Sequence, residues 1–567
     1  MSIKDREREA RGFPWVSIAV MVLVVGAVLY WVGSPAGEHP AAVAQPVVAP
    51  AVNVAREPVR VPRVAPPVVA VPVVAGAEAS DAAGPAKVVR RAGPIPDEYV
   101  YRFFNRADRD AFMREVRDHG GEVLGELPIG NAVRVRVPPG ADRKGLLREA
   151  PTPVGEERNY YVEPPEDPLL VKRGPEAGYE AMLAGVLDWL GVDTRDADRG
   201  YGVTVAVLDT AVGRHPSLQE GRVLRVGGGG IQNDGTLASH GTAVASLVAG
   251  HGNGVSGIAP GARIVSIPVM DGSGKGDTFT LAQGILQAVQ LHANIINLSL
   301  GATGDSGVLR DAIQQAVDSE AVVVAAVGND GVNAVAYPAR YPGVLAVGAV
   351  DARGRHLFFS NRGAAVDLMA PGYAVSAAWN QDDVVAFSGT SAATPVVSGA
   401  LAILLWSDRR LKPAEAVERL LASADDAGAP GHDDEFGAGL VNMRRARELG
   451  ESGIVDMVAL EPAVGPPATP EAGGTTVYVG AQNRGTVELR EVVLRAVADG
   501  VPQEQVFRLV APGQTIHFEY DLLPVGTEPR SATLEYEAVV SGRSDRTPAD
   551  NGRRVVLTVS PKAGGGT

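Results

Sequence analysis

The sequence predicts an α/β protein built on an open parallel sheet over residues 180–450, with a small α+β unit before it (96–165) and an all-β sandwich after it (454–562). Three observations carry this. First, "GVTVAVLDT", "RIVSIPVMD", "ANIINLSLG", "AVVVAAVGN" and "VLAVGAV" are near-continuous apolar runs, separated in part by helical patterns such as "HGTAVASLVAG", "TFTLAQGILQAVQLH" and "SGVLRDAIQQAVDSE". Strands buried on both faces read this way, and helices between them make the sheet parallel. Second, from about 454 the helices stop and short alternating strands with turn signals follow, such as "TTVYVGAQNRG" and "ATLEYEAVVSG". Third, 567 residues with 45% hydrophobic content exceed what one core holds, so several domains are expected.

Taken in order, the chain begins with a basic stretch, residues 1–13, carrying Lys4, Arg6, Arg8 and Arg11. An uncharged apolar run from Trp15 to Val32 follows, inside the segment 14–34, with Trp15, Tyr30 and Trp31 at its ends. At about 1.5 Å per residue it nearly spans a bilayer core, and aromatic ends suit a membrane interface. No Lys or Arg follows until Arg56. The positive-inside rule then keeps 1–13 cytoplasmic and exports the rest. A cleaved signal peptide, cut at "AVA" (42–44), is the alternative; the length of the run favours a retained anchor. Residues 35–95 are Pro, Ala and Val with few charges, an extended semi-rigid linker. Residues 96–165 read strand, helix, strand, strand, helix, strand, the order of a ferredoxin-like unit.

Composition excludes several classes of function. The net charge of −14 argues against general nucleic-acid binding. With no cysteine there are no disulfides, thiolate metal sites or cysteine nucleophile.

The chemistry starts at "FSGTSAATPVVSGA" (387–400). Ser391 stands among small residues at the mouth of a long apolar run, with Pro395 soon after it. Proline suits the first turn of a helix, so Ser391 is expected at a helix start, where the helix dipole favours a developing oxyanion. A turn or cap is the plain alternative. A serine nucleophile needs a histidine base and a carboxylate to orient it. His240 opens the apolar pattern "SHGTAVASLVAG", and Asp209 ends the strand "GVTVAVLDT", where a buried acid is costly without a partner. Asn329, after the strand "VVVAAVGND", could aim an amide at an oxyanion. Taken singly, each is as well explained by a cap or a turn.

Together these motifs resemble the subtilisin family of serine proteases. The resemblance covers roughly 185–445 through "VAVLDTAVGRHPSL", "HGTAVASLVAG", "AVGND" and "GTSAATP", with "GVSGIAPGARI", "INLSLG" and "FGAGLVN" alongside. It implies a triad of Asp209, His240 and Ser391, and an oxyanion hole of Asn329 with the Ser391 N–H. The chain order Asp, His, Ser is that of subtilisin itself. The resemblance further implies a polypeptide substrate bound as an added strand on "LSLGA" (298–302) and "GSGKG" (272–276), with Ser299, Leu300, Gly301, Gly274, Ala325 and Gly328 as binding residues. Small neutral walls there suggest apolar P1 residues. Two positions depart from the family's pattern: Ala211 replaces a glycine, acceptable only where φ is not positive, and Val327 replaces an alanine.

Under the same resemblance, residues 96–165 take the place of a propeptide, which would inhibit from the cleft and be cut near "NYYVEPPEDPLLVKRG"; since that cut separates the catalytic domain from the anchor, either the anchor serves delayed release or this domain is not removed. The C-terminal unit is similar to CARDB-like, immunoglobulin-type modules. The expected protein is a membrane-anchored, exported serine endopeptidase; the alternative is an inactive scaffold that binds at the cell surface. No cofactor is required. Structural calcium is common in the family, but no EF-hand-like loop is present; the stretch 424–436 is acidic enough to hold Ca²⁺, though a solvated loop is the favoured reading. His215, His251, His292, His356 and His432 show no metal-ligand spacing.

Overall fold

The computed structural model describes residues 93–164, 179–227, 239–464, 474–523 and 528–559. The expected anchor at 14–34, and the linker up to residue 92, lie outside them. Among the described residues, one helix, Thr390–Ser407, is long and apolar enough to cross a membrane, but 89% of it is buried within the protein.

The central sheet has seven parallel strands. They are β5 (Thr204–Asp209), β6 (Val223–Arg225), β7 (Arg263–Pro268), β8 (Ile295–Leu298), β9 (Val322–Ala326), β10 (Val344–Val350) and β11 (Leu368–Pro371), in the order β11-β10-β9-β8-β5-β7-β6. Alternate residues feed two cores, as the period of a strand requires. Val205 and Val207 join one apolar cluster, Ala206 and Leu208 the other. Helices α3 (Ser239–Ala249) and α6 (Thr390–Ser407) pack in the first cluster; α4 (Thr278–Gln290) and α5 (Gly307–Asp318) pack in the second. This double burial is why the strands are apolar on both faces. A hairpin, β12 (Val375–Trp379) with β13 (Asp383–Phe387), precedes α6. Helices α7 (Pro413–Ala422) and α8 (Met443–Glu448) follow it.

The N-terminal unit holds β1 (Pro94–Arg102), α1 (Arg106–Asp118), β2 (Glu122–Leu127), β3 (Ala132–Arg136), α2 (Arg143–Glu149) and β4 (Gly155–Val162), with strand order β4-β1-β3-β2, antiparallel throughout. Asn105 caps α1 by accepting the Asp108 N–H, and Asp142 caps α2 by accepting the Gly145 N–H. Val100, Leu127, Ala132 and Val162 of this unit join the second core cluster, so its sheet packs on the α4 and α5 face.

The C-terminal unit has two sheets over one core. One holds β14 (Met457–Ala459), β15 (Thr475–Asn483) and β18 (Thr515–Leu522), with a short strand at Ala463–Val464. The other runs β17 (Val501–Val510), β16 (Leu489–Ala498), β19 (Arg530–Val540), β20 (Gly552–Val559). Arg445 of α8 is buried at the joint, donating to the carbonyls of Ser423 (2.8 Å) and Ala424 (2.6 Å) and, through Nε, to that of Arg484 (3.3 Å).

Candidate functional site

Asp209, the last residue of β5, is fully buried. One carboxylate oxygen, Oδ1, accepts the Thr210 N–H (2.7 Å) and meets Nδ1 of His240 at 2.8 Å. A buried acid is thereby paired at the carboxyl edge of the sheet, where open α/β sheets bind ligands. His240 lies in the first turn of α3. Gly241 lets the helix come this close: a Cβ there would stand 2.3 Å from the Thr210 carbonyl oxygen. The His240 ring packs edge-on against Phe387 (5.3 Å), and its Nε2 is buried without a hydrogen-bond partner among the described residues. At Ala211 the backbone stays out of the left-handed region, so alanine is accommodated.

Ser391 is the second residue of α6, at a helix start, and is 1% exposed. Pro395 is not in the first turn, as the sequence suggested, but one turn further in. A proline there has no N–H to give to the carbonyl four residues back, which is that of Ser391. Ser299 fills the gap: its hydroxyl donates to the Ser391 carbonyl (3.0 Å), while the Ser391 hydroxyl donates to the Ser299 carbonyl (3.2 Å). Asn297 Nδ2 donates to Ser299 Oγ (3.1 Å), and Ser398 Oγ donates to Asn297 Oδ1 (2.8 Å). The side chain of Ser299, expected to line a binding pocket, is thus spent on holding α6.

Asn329 follows β9. Its Oδ1 accepts the N–H (2.9 Å) and the hydroxyl (2.8 Å) of Thr390. That orientation sets Nδ2 over Gly389, where a Cβ would come within 2.7 Å of it; φ is +125° at this glycine. Asp209, His240, Ser391 and Asn329 therefore all stand on strand ends or helix starts at one edge of the sheet. Leu300, Ala325 and Val327 are fully buried side chains in the second core cluster. Gly328 accepts the Asn361 N–H through its carbonyl (3.0 Å).

Both expected substrate platforms are covered by the chain's own residues. Glu163 pairs antiparallel with Gly301, each donating its N–H to the other's carbonyl (3.1 and 2.9 Å). Val162 pairs with Gly276 and Tyr161 with Asp277. Pro164 lies against Gly274, its Cδ 3.2 Å from where a Cβ would be. Polar contacts fix this seat. Glu157 accepts the Gly307 N–H and the Val308 N–H (3.0 Å) at the start of α5. Asn159 Oδ1 accepts the Thr278 hydroxyl (2.9 Å) and the Phe279 N–H (3.2 Å) at the start of α4. Arg134 pairs with Asp277 (2.6 Å) and Arg102 with Asp311 (2.9 Å). Burial pushes the Glu157 carboxyl up from its ordinary value, opposed by its two N–H bonds.

Residues 200–439 match the Subtilase family. Subtilisin Savinase of Lederbergia lenta is 37% identical over 250 residues, which span 44% of this chain and 91% of that protein. The chain belongs to the subtilase family. A thermostable alkaline protease of Halalkalibacterium halodurans is 37% identical over 256 residues, 44% of this subtilase and 68% of the relative. Among solved structures, the prenylagaramide maturation protease PagA shares 35% identity over 44% of this chain and 93% of its own, with a TM-score of 0.40.

In this subtilase the acidic stretch 424–436, read from sequence as solvated, is tied down instead. Asp426 is 7% exposed and accepts the Gly431 N–H (2.7 Å). Asp433 accepts the N–H groups of Glu435 (2.7 Å) and Phe436 (2.8 Å). Burial pushes both carboxyls up. Thr210, Thr390 and Phe387 were not among the expected site residues. Thr210 and Thr390 each follow or precede an expected one by a single position, and that adjacency is the only sequence signal they carry.

Proposed function

We propose that this subtilase is a serine endopeptidase acting through Asp209, His240 and Ser391. The observation that carries this is the Asp209–His240 pair at 2.8 Å, with Nε2 free of hydrogen-bond partners among the described residues at the sheet edge where α6 begins. With Nδ1–H held by Asp209, Nε2 is the basic nitrogen. Ser391 Oγ rests on the Ser299 carbonyl (3.2 Å); the proposed reaction requires it to turn from there to Nε2. It then attacks the peptide carbonyl, His240 takes its proton and passes it to the leaving amine, and Asp209 stabilises the imidazolium. Asn329 Nδ2 and the Ser391 N–H receive the oxyanion, aided by the dipole of α6. No cofactor enters. Hydrolysis of a denatured protein substrate by the wild type, and none by Ser391→Ala, supports the assignment; equal rates remove it.

We further propose that residues 96–165 act as a propeptide-like inhibitor, since the segment 161–164 lies on Gly301 and Gly274, on the strand platform that a substrate would use; Ser299, Leu300, Ala325 and Gly328 are proposed as further substrate-binding residues of that platform. Residues 14–34 serve as membrane anchor, 35–95 as linker, and 180–450, the catalytic domain, is exported together with the sandwich of 454–562. Substrates are polypeptides met outside the inner membrane.

A further inference from the structure

The last loop of the C-terminal unit, residues 541–551, folds back onto the point where the chain enters that unit. Asp456, just before β14, lies there with Asp545 and Asp550 of the loop. Each offers a carboxylate oxygen, and these oxygens lie within 4.8 Å of one another. Three oxygens this close can share one Ca²⁺ ion, whose oxygen bonds run about 2.3–2.6 Å.

Acidic groups gather at many surfaces, so proximity alone means little. Here a second observation points to a ligand. Asp456 is 4% exposed, and its Oδ1 is buried with no hydrogen-bond partner among the described residues. Asp550 Oδ1 is likewise buried and without a hydrogen-bond partner among the described residues. An unsatisfied buried carboxylate oxygen is costly, and three like charges add to the cost. The donors nearby do not remove it. Asp545 accepts the Met457 N–H (2.7 Å) and the Thr547 N–H (2.8 Å), which orient its carboxylate. Arg546 Nη2 reaches Asp456 Oδ2 (3.2 Å), but it is shared with Glu448 (3.0 Å). The charge of Arg484 also acts on Asp550, but that guanidinium is paired with Asp425 (3.2 Å). Burial, then the charges of Asp456 and Asp545, push the Asp550 carboxyl up from its ordinary value.

We propose that Asp456, Asp545 and Asp550 bind a Ca²⁺ ion. Hard oxygen donors with no nitrogen or sulfur ligand suit Ca²⁺ over the softer transition metals. Glu448 belongs to α8, so through Arg546 the ion would stiffen the joint between the catalytic domain and the C-terminal unit. This site is independent of whether Ser391 is a nucleophile.

The test uses the full chain in detergent, carrying Ser391→Ala to prevent self-cleavage, stripped with EDTA and titrated calorimetrically with CaCl₂. It is compared with the same chain carrying Asp550→Asn. The expected result is one Ca²⁺ fewer in the variant, or at least tenfold weaker binding at one site. Calcium should raise the melting temperature of the parent more than that of the variant, while in EDTA the variant melts no lower, being relieved of repulsion. Equal stoichiometry and affinity, or the same melting difference with and without calcium, overturns the proposal. A reading without substitution in the loop is its cleavage by trypsin at Arg543 and Arg546. Calcium should slow this at least tenfold, and an unchanged rate overturns the proposal equally.

Discussion

Ser391 and Ser299 hold each other: each hydroxyl donates to the other's backbone carbonyl, at 3.2 and 3.0 Å. The exchange locks the start of α6 against the end of β8 across 92 residues of sequence. It also compensates the helical hydrogen bond that Pro395 cannot make.

Ser299→Ala removes one side of this exchange and leaves the Ser391 carbonyl unsatisfied in a buried place. A loss of about 1–3 kcal/mol in stability is expected. Urea denaturation measures it, and a midpoint equal to that of the wild type would mean that the bond contributes nothing. Ser299→Thr, which retains the hydroxyl, should recover part of the loss.

Asn329 holds Thr390 and is proposed to bind the oxyanion, and one substitution can separate the two. Asn329→Asp retains the oxygen that accepts from Thr390 but loses the Nδ2 donor. The expected fall in kcat is about 10²–10³, a size known from subtilisin's own oxyanion asparagine, with KM little changed. Steady-state kinetics on a peptide substrate measures both. An unchanged kcat would take Asn329 out of the oxyanion hole.

Asp209→Asn keeps the shape of the Asp209–His240 contact but favours the wrong imidazole tautomer. A fall of about 10⁴ in kcat at neutral pH is the expected outcome, by analogy with the trypsin variant. Retention of more than a tenth of the activity would contradict the role given to Asp209.

Glu157 anchors the N-terminal unit on the first N–H groups of α5. Losing such a cap costs about 1 kcal/mol, or about fivefold in occupancy of the cleft. In the full chain, Glu157→Ala should hydrolyse a small peptide substrate correspondingly faster. A slower or equal rate would count against an inhibitory seat.

His356 predicts a dependence of stability on pH. Its side chain is 6% exposed, and neither ring nitrogen has a hydrogen-bond partner among the described residues. Burial, then the charge of Arg362, push it down to about 4. The folded state keeps the ring neutral while the unfolded state protonates near 6.5. Stability is therefore full above that value and falls as pH drops from there through about 4, by roughly 3 kcal/mol. Denaturation curves between pH 7 and 4 should show a shallower decline for His356→Leu than for the wild type. Parallel declines would refute this.

The central sheet was legible because burial on both faces writes unbroken apolar runs into β5, β8, β9 and β10. The positions of Asp209 and Asn329 at strand ends followed from those runs. What stayed hidden depends on contacts distant in sequence. Nothing local marks Ser299 as the partner of Ser391, nor places Pro395 in the second turn rather than the first. The seating of Glu163 on Gly301 joins backbone groups, which carry no side-chain signature. Asp456, Asp545 and Asp550 follow no ligand spacing, whereas the stretch 424–436 is dense in acids that the fold uses to close its own turns.

Everything proposed for the catalytic domain depends on Ser391 being an activated nucleophile. The full chain, treated with a fluorophosphonate probe and digested for peptide mass analysis, answers this beside Ser391→Ala. The predicted result is a single label on Ser391 in the wild type and none in the variant, at a rate that rises once brief trypsin treatment clears the cleft. A folded wild type that stays unlabelled at Ser391 after that treatment would contradict the triad assignment.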